Sequence, residues 1–141
     1  MVRARLVLVL GLSLVVAAAS TVTIRLAGHS ALGCPGSSIS PLVNCRAVIT
    51  SAGGHVLGLP LGAWALGWLA LFWTTVFARR LIVGRVFAAL AFVGIAYAVG
   101  TELQVGHLCA WCTLDQSAIA ALAVWRIVGG EGAFHGPRRT P

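Results

Sequence analysis

Four apolar stretches, each close to the length of a membrane-crossing helix, follow one another in this chain and leave little room for another kind of fold. They run from about Leu6 to Ile24, Leu57 to Ala78, Val86 to Leu103 and Leu108 to Val128. About 20 residues of helix cross the ~30 Å of hydrocarbon in a bilayer. Backbone N–H and C=O groups find no water there, so these segments are expected to be helical. A soluble domain of 141 residues has too high a surface-to-volume ratio to hide a chain that is 59% hydrophobic and 9% charged. The expected architecture is therefore all-α. One membrane domain covers residues 1–128, an integral membrane bundle of four transmembrane helices with a large extracytoplasmic loop over residues 26–56. Residues 129–141 read as a disordered cytoplasmic tail. Gly62, Gly67, Gly94 and Gly100 are small enough to let helices approach closely.

Charge orients this bundle. The net charge of +7 comes from ten arginines and no lysine. Arg3 and Arg5 precede the first segment, Arg79, Arg80 and Arg85 fill the link between the second and third, and Arg126, Arg138 and Arg139 lie at or beyond the end of the fourth. Only Arg25 and Arg46 fall on the other side. Positive charge stays cytoplasmic, so both termini and the arginine link are expected on the cytoplasmic side of the cell membrane. Arginines at the ends of apolar runs do this work in place of nucleic-acid binding, which is not expected. The start of the chain has a rival reading. Arg3, Arg5, an apolar run and Ala17-Ala18-Ala19-Ser20 resemble a secretory signal peptide. The run continues through Val22 and Ile24, long for a signal core, which favours a retained span.

This topology puts all four cysteines on the outer face. Cys34 and Cys45 fall in the large loop, and Cys109 and Cys112 open the last segment at the outer boundary. An outward compartment tolerates disulfides. Cys109-Ala110-Trp111-Cys112 is a C-x-x-C motif at an expected helix start, where the spacing puts both sulfurs near one face. Free N–H groups and the positive end of the helix dipole favour a thiolate there. Cys109 is the more exposed candidate for thiol exchange, with Cys112 a turn deeper. Two pairs suit a relay, because disulfide exchange passes through mixed disulfides. A flexible loop pair meets a soluble partner, and a fixed pair at the membrane reduces something lipid-soluble, such as a quinone. Two blander readings stay open on the residues alone: a structural disulfide, and a metal site drawing on Cys34, Cys45 and His107, which would need compatible ligand geometry.

The pattern resembles the vitamin K epoxide reductase family, including its bacterial quinone-linked, disulfide-forming members. The matching residues are Cys34, then Cys45-Arg46-Ala47-Val48-Ile49-Thr50-Ser51, then Gly58-Leu59-Pro60 entering the second segment, then Cys109-Ala110-Trp111-Cys112-Thr113. The resemblance covers about residues 6–128. It implies a four-helix bundle around a quinone pocket, with Cys109 and Cys112 as the redox centre beside it. It implies that Cys45 exchanges with Cys109, and Cys34 with an external thioredoxin-like dithiol protein. Ser51 matches a family serine or threonine near the pocket. The electron-accepting substrate would be menaquinone or ubiquinone, with no metal. Two departures stand out. Ten residues, rich in Ser, Gly and Pro, separate Cys34 from Cys45, more than is usual in the family, and read as a mobile stretch. Gln116 stands where human-type members carry a tyrosine, which moves the expected substrate away from the epoxide; its amide could still reach a quinone carbonyl. With no thioredoxin-like domain following the last segment, the partner is expected to be a separate protein.

Asp115 lies just inside the fourth segment, and intramembrane acids are functional by default. It is a candidate for a proton step at the quinone, or an acid favoured in a first helical turn. Glu102, near the outer end of the third segment, invites the same two readings. Trp111 is placed to cover the redox pair. Trp64, Trp68, Trp73 and Trp125 include boundary anchors. His29, His55 and His107 fall outside, as solvated positions or proton carriers. Other functions share this framework: reduction of vitamin K epoxide itself, or a non-catalytic membrane subunit with structural disulfides. A different four-helix quinone-linked oxidase type carries its C-x-x-C in the first outer loop, and here that order is reversed.

Overall fold

The computed structural model describes residues 2–28 and 33–128. His29, the tail from 129 to 141 and its His135 lie outside the described residues. The first helix, α1, spans Val2–Ala27. A short helix α2 follows at Cys45–Ile49, then a 3-10 turn at Ala52–Gly54 and a hairpin of β1 (His55–Val56) with β2 (Leu59–Pro60). Helices α3 (Leu61–Phe77), α4 (Leu81–Val105) and α5 (Ala110–Val128) complete the chain.

The second apolar segment was expected from Leu57, but its helix begins four residues later. Residues 55–60 pair as the hairpin instead, with Leu57 (φ 52°) and Gly58 (φ 78°) at its tip. Positive φ at both central residues is what a two-residue hairpin turn of the right twist needs. Pro60 then stands just before α3, where a proline ring costs no helical hydrogen bond. The third segment is longer than expected. Arg85 lies inside α4, so the link shrinks to residues 78–80. At its other end α4 stops at Gly106, whose φ of 73° places it in the left-handed region that ends helices cheaply.

The four long helices form a ring in the order α1, α3, α4, α5, each packed on its two neighbours. Val9, Val16, Phe72, Ala88, Ala91, Ala118, Ile119, Leu122 and Ala123 fill the centre. The small side chains on α4 and α5 let these helices close on one another. The outer faces are apolar too. On α4, Ile82, Val83, Val86, Leu90, Phe92, Val93, Val99 and Leu103 are all exposed. In water such a surface would drive association; against lipid it is at its lowest free energy. α1 and α4 are each long and apolar enough to cross a bilayer, while α3 is a shorter apolar helix of 17 residues.

One charge is buried at the end of the bundle away from the cysteines. Arg126, on α5, is 4% exposed and donates from Nη2 to the carbonyls of Thr75 and Arg80, each at 3.3 Å. Thr75 O, in the last turn of α3, also accepts from Arg80 N–H, and Arg80 O, at the start of α4, from Gly84 N–H. The guanidinium is thus a second donor to each carbonyl and clamps the α3–α4 link. A Cβ at Gly84 would run into this guanidinium, so α4 passes close by only because residue 84 is glycine. Removing a charged donor from buried carbonyls costs about 2 kcal/mol. Arg126→Leu is therefore expected to melt well before the wild type in detergent, with Arg126→Lys in between. A melting curve unchanged by Arg126→Leu would show that the backbone donors at these carbonyls, Arg80 and Gly84 N–H, suffice without it.

Candidate redox site

The four cysteines come together at one end of the ring, as two disulfides. Cys34 bonds Cys45 and Cys109 bonds Cys112, with Cα–Cα distances of 5.6 and 5.1 Å. The segment between Cys34 and Cys45 is a series of turns. Ser37 N–H donates to Cys34 O, Ile39 and Ser40 N–H to Gly36 O, and Val43 N–H to Ser40 O. The glycine at 36 (φ 86°) allows the tight reversal. The expectation of a mobile stretch is thus met by a hydrogen-bonded one, closed by its own disulfide.

A parallel bridge between Val43 and Leu108 joins the two pairs. Leu108 N–H donates to Leu42 O at 2.8 Å, and Asn44 N–H donates to Leu108 O at 2.9 Å. Cys45 follows Asn44 and Cys109 follows Leu108, so the bridge delivers both to the same spot. Both are 0% exposed and share one apolar cluster with Leu26, Val48 and Ile49. Cys34 and Cys112 flank this cluster and are only partly buried. Cys109 was expected to be the more exposed of its pair. It is the more buried, because the bridge covers it with the loop. Trp111 adds to this cover: its indole N–H donates to Gly33 O at 3.2 Å, and its ring packs on the cluster.

Cys109 also caps α5. Its carbonyl accepts from Thr113 N–H at 2.8 Å, and its Sγ accepts from Cys112 N–H at 3.1 Å. The sulfur thus occupies the position where a helix presents unpaired N–H groups. Cys34 Sγ accepts from Cys45 N–H at 3.1 Å at the start of α2, whose remaining cap is Asn44 Oδ1, bonded by Ala47 N–H at 3.0 Å.

Behind the C-x-x-C lies a partly open cavity of about 250 Å³ lined by residues of all four long helices and α2. Its wall is mainly apolar, with Trp64 and Trp68 on one side and Leu90, Ala91 and Ile95 on another. Cys112, Asp115, Gln116 and Ile119 line it from α5, at the three- and four-residue intervals that share a helix face. Trp64 N–H holds the hairpin at the cavity edge through Val56 O (3.0 Å), and Trp68 N–H ties α3 to α4 through Phe87 O (3.1 Å). Asp115 is 7% exposed; its Oδ2 accepts from Ser20 on α1 at 2.9 Å, while Oδ1 has no hydrogen-bond partner. The Gln116 amide nitrogen is buried and likewise without one. Buried polar atoms of this kind are usually satisfied, and orphans beside a cavity point to a ligand. An apolar cavity with a few convergent polar groups is the usual form of a small-molecule site.

Ser51 stands beside the cavity wall, not in it. Its hydroxyl donates to Val48 O at 2.7 Å and accepts from Gly54 N–H at 3.1 Å. It thus shapes the turn that carries Val48, Ile49 and Gly54 into the wall. Glu102, given no specific partner by sequence reasoning, is a near neighbour of the redox pair. Its carboxylate and the sulfurs of Cys109 and Cys112 lie within 4.8 Å of one another. No local signal announces this, because the contact depends on the reversal at Gly106. The trio has the compactness of a metal site, but a sulfur held in a disulfide is not a thiolate ligand.

The profile of the Vitamin K epoxide reductase family matches residues 5–127. No curated protein and no solved structure gives a significant match.

Proposed function

The chain belongs to the Vitamin K epoxide reductase family, a membrane family of thiol oxidoreductases, and we propose that it passes electrons from an extracytoplasmic thioredoxin-like dithiol protein to a quinone, supporting disulfide-bond formation. One observation carries the reading: Cys112 lines an apolar cavity, while its partner Cys109 is buried in one apolar cluster with Cys45 of the second pair. Electrons have a way in on one side of the C-x-x-C and an acceptor site on the other.

The partly exposed Cys34 is the entry point. A partner thiolate attacks Cys34, breaks its bond to Cys45 and forms a mixed disulfide. The partner's second thiol resolves it and leaves as a disulfide, with two electrons now on Cys34 and Cys45. Cys45 then attacks Cys109, and Cys34 closes back on Cys45. Cys109 and Cys112 are left reduced. The quinone, when bound, supplies an acceptor for two electrons and two protons. Gln116 positions its carbonyl, Asp115 moves a proton at Oδ1, and the apolar wall excludes water. Trp111 and Ser51 act as supports, holding the loop and the cavity wall. The four long helices span the membrane with the arginine-rich end, both termini and residues 129–141 in the cytoplasm.

The test is coupled turnover. The purified protein in lipid nanodiscs, given a reduced thioredoxin-like protein and a short-chain ubiquinone or menaquinone, should form one partner disulfide per quinone reduced. Reduction of vitamin K epoxide without reduction of quinone would move the substrate to the alternative enzyme reading. Cysteine pairs that stay oxidised under every quinone supply would leave only a structural role.

A further inference from the structure

Three acidic residues occur in the chain, and of the two that lie among the described residues one, Asp115, faces the cavity. The other, Glu102, faces the disulfide. It is 5% exposed, at the end of α4. Gly106, four residues on, caps this helix by donating its N–H to Glu102 O, and its left-handed conformation turns the chain back. The redox cysteines therefore return directly over the carboxylate. Its oxygen and both sulfurs fall within 4.8 Å. The Cys109 backbone N–H and the Gln116 side-chain amide are also turned toward it. Oε1 has no hydrogen-bond partner. A buried carboxyl oxygen left unbonded is costly for a group with only a structural role.

We propose that Glu102 is the proton carrier of the redox pair, giving a proton to Cys109 when the pair is reduced and taking it back when the pair reoxidises. This rests on the relay order proposed above. When Cys45 attacks Cys109, the Cys109–Cys112 bond breaks and Cys112 leaves as a thiolate. When Cys34 closes on Cys45, the Cys45–Cys109 bond breaks and Cys109 leaves as a second thiolate. Two thiolates one helical turn apart in an apolar cluster repel strongly. The O–H of Glu102 moves its proton to Cys109 Sγ, leaving Cys109–SH and passing the charge to a carboxylate that the Cys109 N–H and the Gln116 amide face. Cys112 remains the thiolate facing the cavity. For the pair to reoxidise, the Cys109 thiolate must form the bond to Cys112 Sγ as two electrons leave for the quinone, and the carboxylate is the base in reach. The same proton returns, so Glu102 ends the cycle as it began. The two electrons pass to the quinone and the disulfide is restored. The two protons the quinone takes up come from water by way of Asp115, balancing the two released when the partner dithiol is oxidised.

Other titratable groups around Glu102 are Cys45 on α2, His107 in the turn and Asp115 one turn beyond Cys112. Arg25 on α1 and Arg46 on α2, the arginines at this end, are both exposed. The first measurement needs no quinone. In the dithiothreitol-reduced protein, the rate of Cys109 alkylation is followed against pH by peptide mass spectrometry. Coupled groups titrate in steps that belong to the whole set. Cys112 couples to Cys109 in both proteins, so the wild type should show two steps or more and Glu102→Gln one fewer. The second measurement is coupled turnover. Glu102→Gln should lower kcat by about 10²-fold, the usual worth of a positioned acid–base group, with KM for quinone unchanged. Glu102→Asp, which keeps a carboxyl, should recover part of the rate. The same number of alkylation steps in wild type and Glu102→Gln, or a Gln variant with wild-type turnover and pH profile, overturns the proposal; so does an Asp variant no better than Gln. Failure of the relay reading looks different: wild-type protein would not reduce quinone, while the difference in alkylation steps would persist.

Discussion

Cys112→Ala is expected to abolish quinone reduction, with a loss of about 10³-fold or more, as for removal of a reacting nucleophile. Cys112 is the cysteine of the four that lines the cavity, so no other sulfur can take its place at the acceptor. The variant should also leave a covalent record. Without Cys112, Cys109 carries a free thiol, held by the Val43–Leu108 bridge in the same buried cluster as Cys45. Its thiolate can attack the Cys34–Cys45 disulfide. That forms Cys45–Cys109 and releases the Cys34 thiol, with no net change in oxidation state. Mass spectrometry of unreduced peptides should therefore find the Cys45–Cys109 linkage and an alkylatable Cys34. A Cys34–Cys109 linkage would reverse the relay order. Wild-type rates of quinone reduction in Cys112→Ala would remove the C-x-x-C from the chemistry altogether.

Sequence reading reached this site because its strongest signals are local. Helical segments announce themselves by apolar length, and C-x-x-C at a helix start needs only spacing. Arg85 and Leu57 show the limit of that approach. Both segment ends were misjudged because hydropathy does not register a hairpin or a charged residue that stays helical. The functional surroundings were less legible because they are tertiary. Ser20 and Asp115 are 95 residues apart, and their hydrogen bond follows from α1 packing on α5. Ser51 matched a family position near the pocket, yet its hydroxyl is engaged with the backbone of its own turn. Its short separation from Val48 and Gly54 could have signalled this, since serine commonly caps such turns. The burial of Cys109 was not readable at all: it depends on a bridge to residue 43, across three helices of intervening chain.

Gly62→Leu should destabilise the bundle strongly, and it tests whether the cavity and the bundle stand together. Gly62 is buried in the first turn of α3, at the cavity wall. A Cβ there would meet the Thr23 hydroxyl, would come within 2.7 Å of Ser20 O and would press on Ile24. The Thr23 hydroxyl is already committed to Ser20 O at 2.8 Å, and a backbone carbonyl has little freedom to retreat. Overpacking of this kind costs about 3 kcal/mol at its upper range. Relief comes by moving α1 away from α3. Ser20 then moves too, and with it the hydrogen bond that holds Asp115 Oδ2. The variant should therefore lose thermal stability and quinone affinity together. Gly62→Ala should show the same pair of losses in smaller measure, because the contact begins at Cβ. Disulfide exchange between the two cysteine pairs should survive in Gly62→Ala, since the Val43–Leu108 bridge lies away from this contact. An alanine variant with normal melting and a normal KM for quinone would mean that α1 and α3 have slack at this crossing, and that Ser20 does not hold Asp115 in its working position.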